Sequence, residues 1–360
     1  MNQTQDFTKG VIWKQLLFFF FPILIGSFFQ QLYNTVDTII VGQAVGTSAL
    51  AAVGSTGNLT NLIVNFYVGL STGASVVIAQ YYGAQNNKKI HQAVHTSYIL
   101  AIVSGILMML FGLFFSYQCL DAIGTPHDIL NDATLYMQLY FLCMIPGAIY
   151  NIGAGILRAV GDSKRPLYYL IVCSIVNVVF DFIFVVIFHQ GIAGAAIATV
   201  IAQSVCAILV TIQLMRTNEV YKLTLSKMKF HLPVLKKIIM IGAPAGIQST
   251  MYSISNIVLQ SHINAFGTQT IASWSVYVKI DALFWMMIAA IGAAITTFAG
   301  QNYGAHLHDR IKKGTRTALA MAFVMTISIS TILCLTGSYI TRLFSSDPHI
   351  IEECYSLMLF

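Results

Sequence analysis

Apolar residues run along the chain in blocks too long for a soluble helix and interrupted only by short polar or Gly/Pro/Asn-rich breaks. Blocks of about 18 residues or more with few charges are long enough to cross a bilayer as α-helices. The breaks predict spans near 14–41, 50–80, 93–117, 130–157, 166–188 and 191–215, then 235–262, 270–300, 315–340 and one from about 350 onward. The apolar run from Leu16 to Ile25 continues to Val41 without a small-residue cleavage site, so it reads as a retained first span.

The pattern recurs. Pro22 pairs with Pro244 and Asn34 with Asn256 at an offset of 222, and AQYYGAQ (79–85) pairs with GQNYGAH (300–306) at 221. Val45-Gly46-Thr47 matches Phe266-Gly267-Thr268, and Pro126-His127 matches Pro348-His349. Six spans fit within one period, so both copies start from the same side and the repeats are parallel. The predicted fold is an all-α polytopic membrane protein of two six-helix repeats, with about ten helices present because the second repeat is truncated. Its expected parts are an N-terminal lobe (1–215), a basic linker (216–237) and an incomplete C-terminal lobe (238–360).

Composition sharpens the class. With 57% hydrophobic and 9% charged residues, the chain falls far from a soluble domain, in which about a quarter of residues are charged. The net charge of +6 might suggest a nucleic-acid partner, but seventeen of the nineteen Lys and Arg fall in alternate breaks, on one side of the membrane. This is a positive-inside signature, so no nucleic acid is expected and the N-terminus is expected in the cytoplasm, with the chain multi-pass in the inner (plasma) membrane. The six cysteines are scattered without metal-ligand spacing and read as packing residues. HExxH and Walker sequences are absent, so neither an enzyme nor an ATP-driven pump is expected.

Three acidic residues, Asp37, Asp181 and Asp281, lie within spans. Each costs about 2.5–3.5 kcal/mol at a helix centre on insertion scales, which makes it a candidate functional group. Gln30, Asn34 and Asp37 recur at spacings of four and three and form a polar stripe on one helix face. Pro22 in the same span removes a backbone hydrogen bond and creates a bendable point, as does Pro244 in the second repeat. Asn177 lies four residues before Asp181 and shares its face, a pair able to hold a proton or a sodium ion. Asn58, Asn61 and Asn65 make a second stripe, either interhelical glue or cavity lining. Lys279 and Asp281 are further cavity-lining candidates that do not face each other.

These residues carry a resemblance. GILRAVGDSKRP (155–166), NVVFDFIF (177–184), QQLYNTVDTIIVG (30–42) and the paired YYGAQ and NYGAH elements resemble the multidrug and toxic compound extrusion (MATE) family. The resemblance implies a twelve-helix, V-shaped transporter of two lobes that exports cationic or amphipathic compounds in exchange for protons or sodium ions. It implies no other cofactor, a monomer, and a coupling site at Asp37, Asn177 and Asp181. Some relatives place an acidic residue where this chain has Val160, which tilts the expectation toward protons. Against this stand a flippase for lipid-linked precursors, which would want a basic lumen, and a non-transporting membrane scaffold, which would leave the buried carboxylates unexplained.

Overall fold

The computed structural model describes residues 4–263, 266, 268–342 and 348–359. Gly267 and the side chain of Asn58 lie outside the described residues. The first half comprises α1 (Ile12–Ala44), α2 (Thr47–Gly83), α3 (Asn87–Ala122), α4 (His127–Phe141), α5 (Met144–Ala159), α6 (Lys164–Asp181), a π-helical segment (Phe182–Ile187) and α7 (Gly191–Arg216). After a linker containing a short 3-10 turn come α8 (Leu232–Ile263), α9 (Thr268–Gly304), α10 (His308–Arg342) and α11 (Pro348–Leu359). Among the described residues seven helices are long and apolar enough to cross a membrane, eight if the bent pair α4 and α5 counts as one span.

The expectation of about ten helices is an undercount. Eleven α-helices and the π segment make twelve among the described residues, because two predicted spans change geometry midway. Span 130–157 breaks at Leu142 and Cys143 with a bend of 44°. Pro146 follows the break and has no N–H to return to Leu142, so the ladder cannot run through. The span at 166–188 changes from α to π immediately after Asp181. Pro22 and Pro244, by contrast, sit inside uninterrupted helices.

The second half meets the first chiefly through α2 with α8, α1 with α9 and α2 with α9. The antiparallel pair α2 and α8 meets backbone to backbone: a Cβ on Gly69 would enter the Gly246 main chain, and one on Gly73 would enter that of Gly242. Only glycine permits this approach. Further along the same pair, Asn65 Nδ2 donates to Ser253 Oγ at 3.0 Å, so this member of the span-two stripe acts as interhelical glue. The second interface is apolar: Leu16, Phe19 and Phe20 of α1 pack with Ala290, Ile291, Ala294 and Phe298 of α9.

The loop-bearing ends rich in Lys and Arg gather at one end of the bundle, called here the basic end. There the repeated YGA elements close α2 and α9 in the same way. Gln85 and His306 adopt φ of 51° and 58°, and their N–H groups donate to Tyr82 and Tyr303 carbonyls, while those of Asn86 and Leu307 reach Tyr81 and Asn302. These are matched C-terminal caps. The linker docks on α3 through fully buried His95, whose Nδ1 lies 2.7 Å from the His91 carbonyl while its Nε2 accepts the Thr224 N–H at 3.0 Å. Away from this end, outward faces are apolar, as at Phe18, Phe114, Phe323 and Leu335, in keeping with a lipid solvent.

Candidate functional site

The carboxylates of the first half converge. α1 packs along α6 and also touches the π segment and α7, which places Asp37 within electrostatic reach of Asp181. Asn177 and Asp181 are fully buried, one turn apart on α6. Asp37 Oδ1, Asn177 Oδ1 and both carboxylate oxygens of Asp181 are buried with no hydrogen-bond donor among the described residues. The single polar contact of the Asn177 amide is a long one, 3.5 Å from Nδ2 to Thr199 Oγ1. Buried polar oxygens are almost always paired, and an unpaired buried carboxylate is costlier still. Asn177 and Asp181 thus leave three unpaired acceptor oxygens one turn apart, with a fourth, on Asp37, within electrostatic reach of Asp181.

The surroundings come from elements that sequence spacing did not connect. Tyr136 and Tyr140 of α4 stack at 6.1 Å, and both lie within electrostatic reach of Asp37. Val41, Tyr136, Val185, Ile192, Ala195 and Ala196 make an apolar cluster beside them. Buried Tyr33 accepts from Gln203 Nε2 of α7 at 3.4 Å. The i, i+4 spacing of the two tyrosines was the available signal, but it reports a helix face, not what that face meets.

The polar stripe of α1 divides. Asp37 is half-buried, whereas Gln30 and Asn34 are exposed. Lys279 and Asp281 lie elsewhere, on α9; Lys279 is exposed, and Asp281 bonds to the side chain of Trp285, whose ring lies 5.2 Å from that of Tyr252 on α8. A cavity of about 960 Å³ lies away from the carboxylates. It opens at the basic end between the two YGA elements and is lined by Asp6, Tyr82, Gln85, Glu219 and His306 among others.

The loop from Ala159 to Ser163 turns the chain between α5 and α6. Gly161 takes φ +90°, and Asp162 accepts from the N–H groups of Lys164 and Arg165 at 3.2 and 3.1 Å and pairs with the Arg165 guanidinium at 3.1 Å. Burial pushes the Asp162 carboxyl up from its ordinary range, opposed by these same contacts. Val160 is buried, and its side chain carries no oxygen.

The MatE family model matches residues 22–183 and again 244–360. The chain belongs to the MATE family. Two MATE relatives bear on the reading: "Probable multidrug resistance protein YoeA" of Bacillus subtilis is 27% identical over 365 residues, covering 99% of this chain and 78% of the relative. "Probable multidrug resistance protein NorM" of Thermotoga maritima is 23% identical, covering 94% and 74%. A MATE crystal structure in the bent conformation superposes with a TM-score of 0.92 at 25% identity, over all of this chain and 80% of that one. A structure described as the outward-facing conformation of a multidrug resistance MATE transporter does so equally well. The chain is thus a multi-pass membrane protein of a multidrug efflux family with the V-shaped MATE bundle.

Proposed function

We propose that the chain is a secondary antiporter that exports cationic or amphipathic compounds in exchange for protons. The observation that carries the reading is the set of four unpaired buried oxygens on Asp37, Asn177 and Asp181. A proton taken up there removes charge from a dry site, and its release restores it. The two lobes, 1–215 and 238–360, change their relative packing with that charge, and α1, which carries Asp37, touches both α6 and α9. A ligand drives such a change only through its different affinity for the two states. The basic end is assigned to the cytoplasm by the positive-inside pattern. Closure of the lobes at that end corresponds to an outward-facing state, a reading supported by the similarity to the outward-facing relative.

Protons are favoured over sodium because Val160 stands where some relatives carry an acidic residue that would add a ligand. Small-molecule cations are favoured over lipid-linked pyrophosphates because Lys279 is the sole basic residue in the interior of the predicted spans. The test is uptake of a fluorescent organic cation into proteoliposomes with a pH gradient and a sodium gradient imposed separately. Accumulation is expected with the pH gradient and should disappear in Asp37→Asn. Accumulation on sodium alone would replace the proton, and accumulation by Asp37→Asn equal to the parent would overturn the coupling site.

A further inference from the structure

Residues 5–10 precede the first helix, where an exposed tail is the default. Here the segment is docked. Phe7 is fully buried and packs edge to face against Phe19 of α1 and Phe298 of α9, with ring centroids 5.1 and 5.8 Å away. Its N–H donates to Gln301 Oε1 at 3.1 Å, and its carbonyl accepts from Asn302 Nδ2 at 3.1 Å and Arg310 Nε at 3.0 Å. Arg310 Nη2 donates to the Lys9 and Gly10 carbonyls and to Gln15 Oε1, each at 2.9 Å.

Gln301 also faces the other way. Its Nε2 donates to the Ala159 carbonyl at 2.8 Å, in the loop between α5 and α6. Beside that contact the Gln5 N–H donates to the Gly161 carbonyl at 3.0 Å, and a side chain on Gly161 would run into the Gln5 backbone. One buried amide thus joins the segment and the first-half loop to α9. Among the described residues Gln80, its counterpart 221 residues earlier, makes no side-chain hydrogen bond like those of Gln301.

We infer that residues 5–10 are a latch that holds the basic end closed, and that Gln301 is the positioning residue that ties it shut. The segment is covalently continuous with α1, through Gly10 at φ +86°, yet its polar contacts are mostly to α9 and α10. The two halves cannot part at this end unless Phe7 leaves its pocket and Gln301 leaves Ala159. The inference rests on the alternating-access reading above, in which the basic end must open once per cycle.

The test is the distance between spin labels at Lys88→Cys and Lys312→Cys, both exposed and on opposite halves, with Cys119 and Cys334 replaced by Ser. Gln301→Leu strands the Phe7 N–H and the Ala159 carbonyl in the closed state, whereas water satisfies both when the end is open. The long-distance fraction is expected to rise about tenfold relative to the short one. Phe7→Ala should raise it at least as much, and Gln80→Leu should leave it unchanged. Unchanged distances in both Gln301→Leu and Phe7→Ala, or an equal rise in Gln80→Leu, would overturn the latch. Should Gln301→Leu fail to fold, the Phe7 amide of the otherwise unsubstituted labelled pair decides: its exchange should rise with the long-distance fraction between detergent and nanodiscs, and fast exchange with the halves together overturns the inference. Absence of gradient-driven uptake alongside the expected distances would instead count against the antiport reading alone.

Discussion

Asp181→Asn separates charge from shape at the unpaired acceptors. The substitution is nearly isosteric and keeps one of the two buried oxygens of Asp181, but the site can no longer exchange a proton there. The driving force at stake follows from the gradient: each proton moved down one pH unit supplies about 1.4 kcal/mol, a tenfold concentration ratio. Asp37 and Asp181 lie within electrostatic reach of each other in a site with no facing cation among the described residues, and the antiport proposal treats them as one coupled unit. If that unit carries one proton per cycle, proteoliposomes clamped at zero membrane potential should approach about tenfold accumulation per pH unit. Asp181→Asn should remove accumulation while leaving exchange of substrate down its own gradient measurable. Its thermal stability in detergent should not fall, because an unpaired buried amide costs about 1–3 kcal/mol and an unpaired buried carboxylate more. Parent-level accumulation in Asp181→Asn refutes the assignment. Loss of accumulation together with a large drop in thermal stability would refute the claim that this carboxylate is unpaired.

Gly73→Leu drives a side chain into the Gly242 backbone and the Ile238 carbonyl and should destabilise the α2–α8 contact by about 3 kcal/mol, read as a lower thermal midpoint. Gly54→Ala, with open space around it, should be neutral or slightly stabilising. His95→Ala removes the acceptor of the Thr224 N–H, at a cost of about 1–3 kcal/mol. Trypsin should then cut the linker at Lys222 and Lys227 faster than in the parent, and an unchanged cleavage rate would show that His95 does not hold it.

Much of the membrane architecture was legible because its causes are local. Long apolar blocks can satisfy their backbone in lipid only as helices, and alternate breaks had to carry the basic residues on one side. Asp37, Asn177 and Asp181 stood out because polar groups in such blocks are costly. What escaped depends on meetings between distant segments. Tyr136 reaches Asp37 across about a hundred residues of chain, and no periodicity encodes that pairing. Phe7 looks like one more residue of a polar tail until Phe19 and Phe298 enclose it. Two signals were present and unused: Pro146, which marks the break between α4 and α5, and the spacing of Gly69 with Gly73 and of Gly242 with Gly246, a small-residue pattern typical of closely packed membrane helices. Lys279 and Asp281 were conspicuous for the same reason as Asp37, yet Asp281 is occupied by Trp285 and lies in the other half.

The glycine contact between α2 and α8 bears on friction as well as proximity. Helices that mesh through large side chains must lift each knob out of its hole before they can slide or tilt. At Gly69, Gly73, Gly242 and Gly246 smooth backbone lies on smooth backbone, and there is nothing to unthread. A joint of this kind resists little against shear. On the alternating-access reading the pace at which the halves move would be set by the polar ties, those at the basic end and the one between Asn65 and Ser253, rather than by the glycine contact.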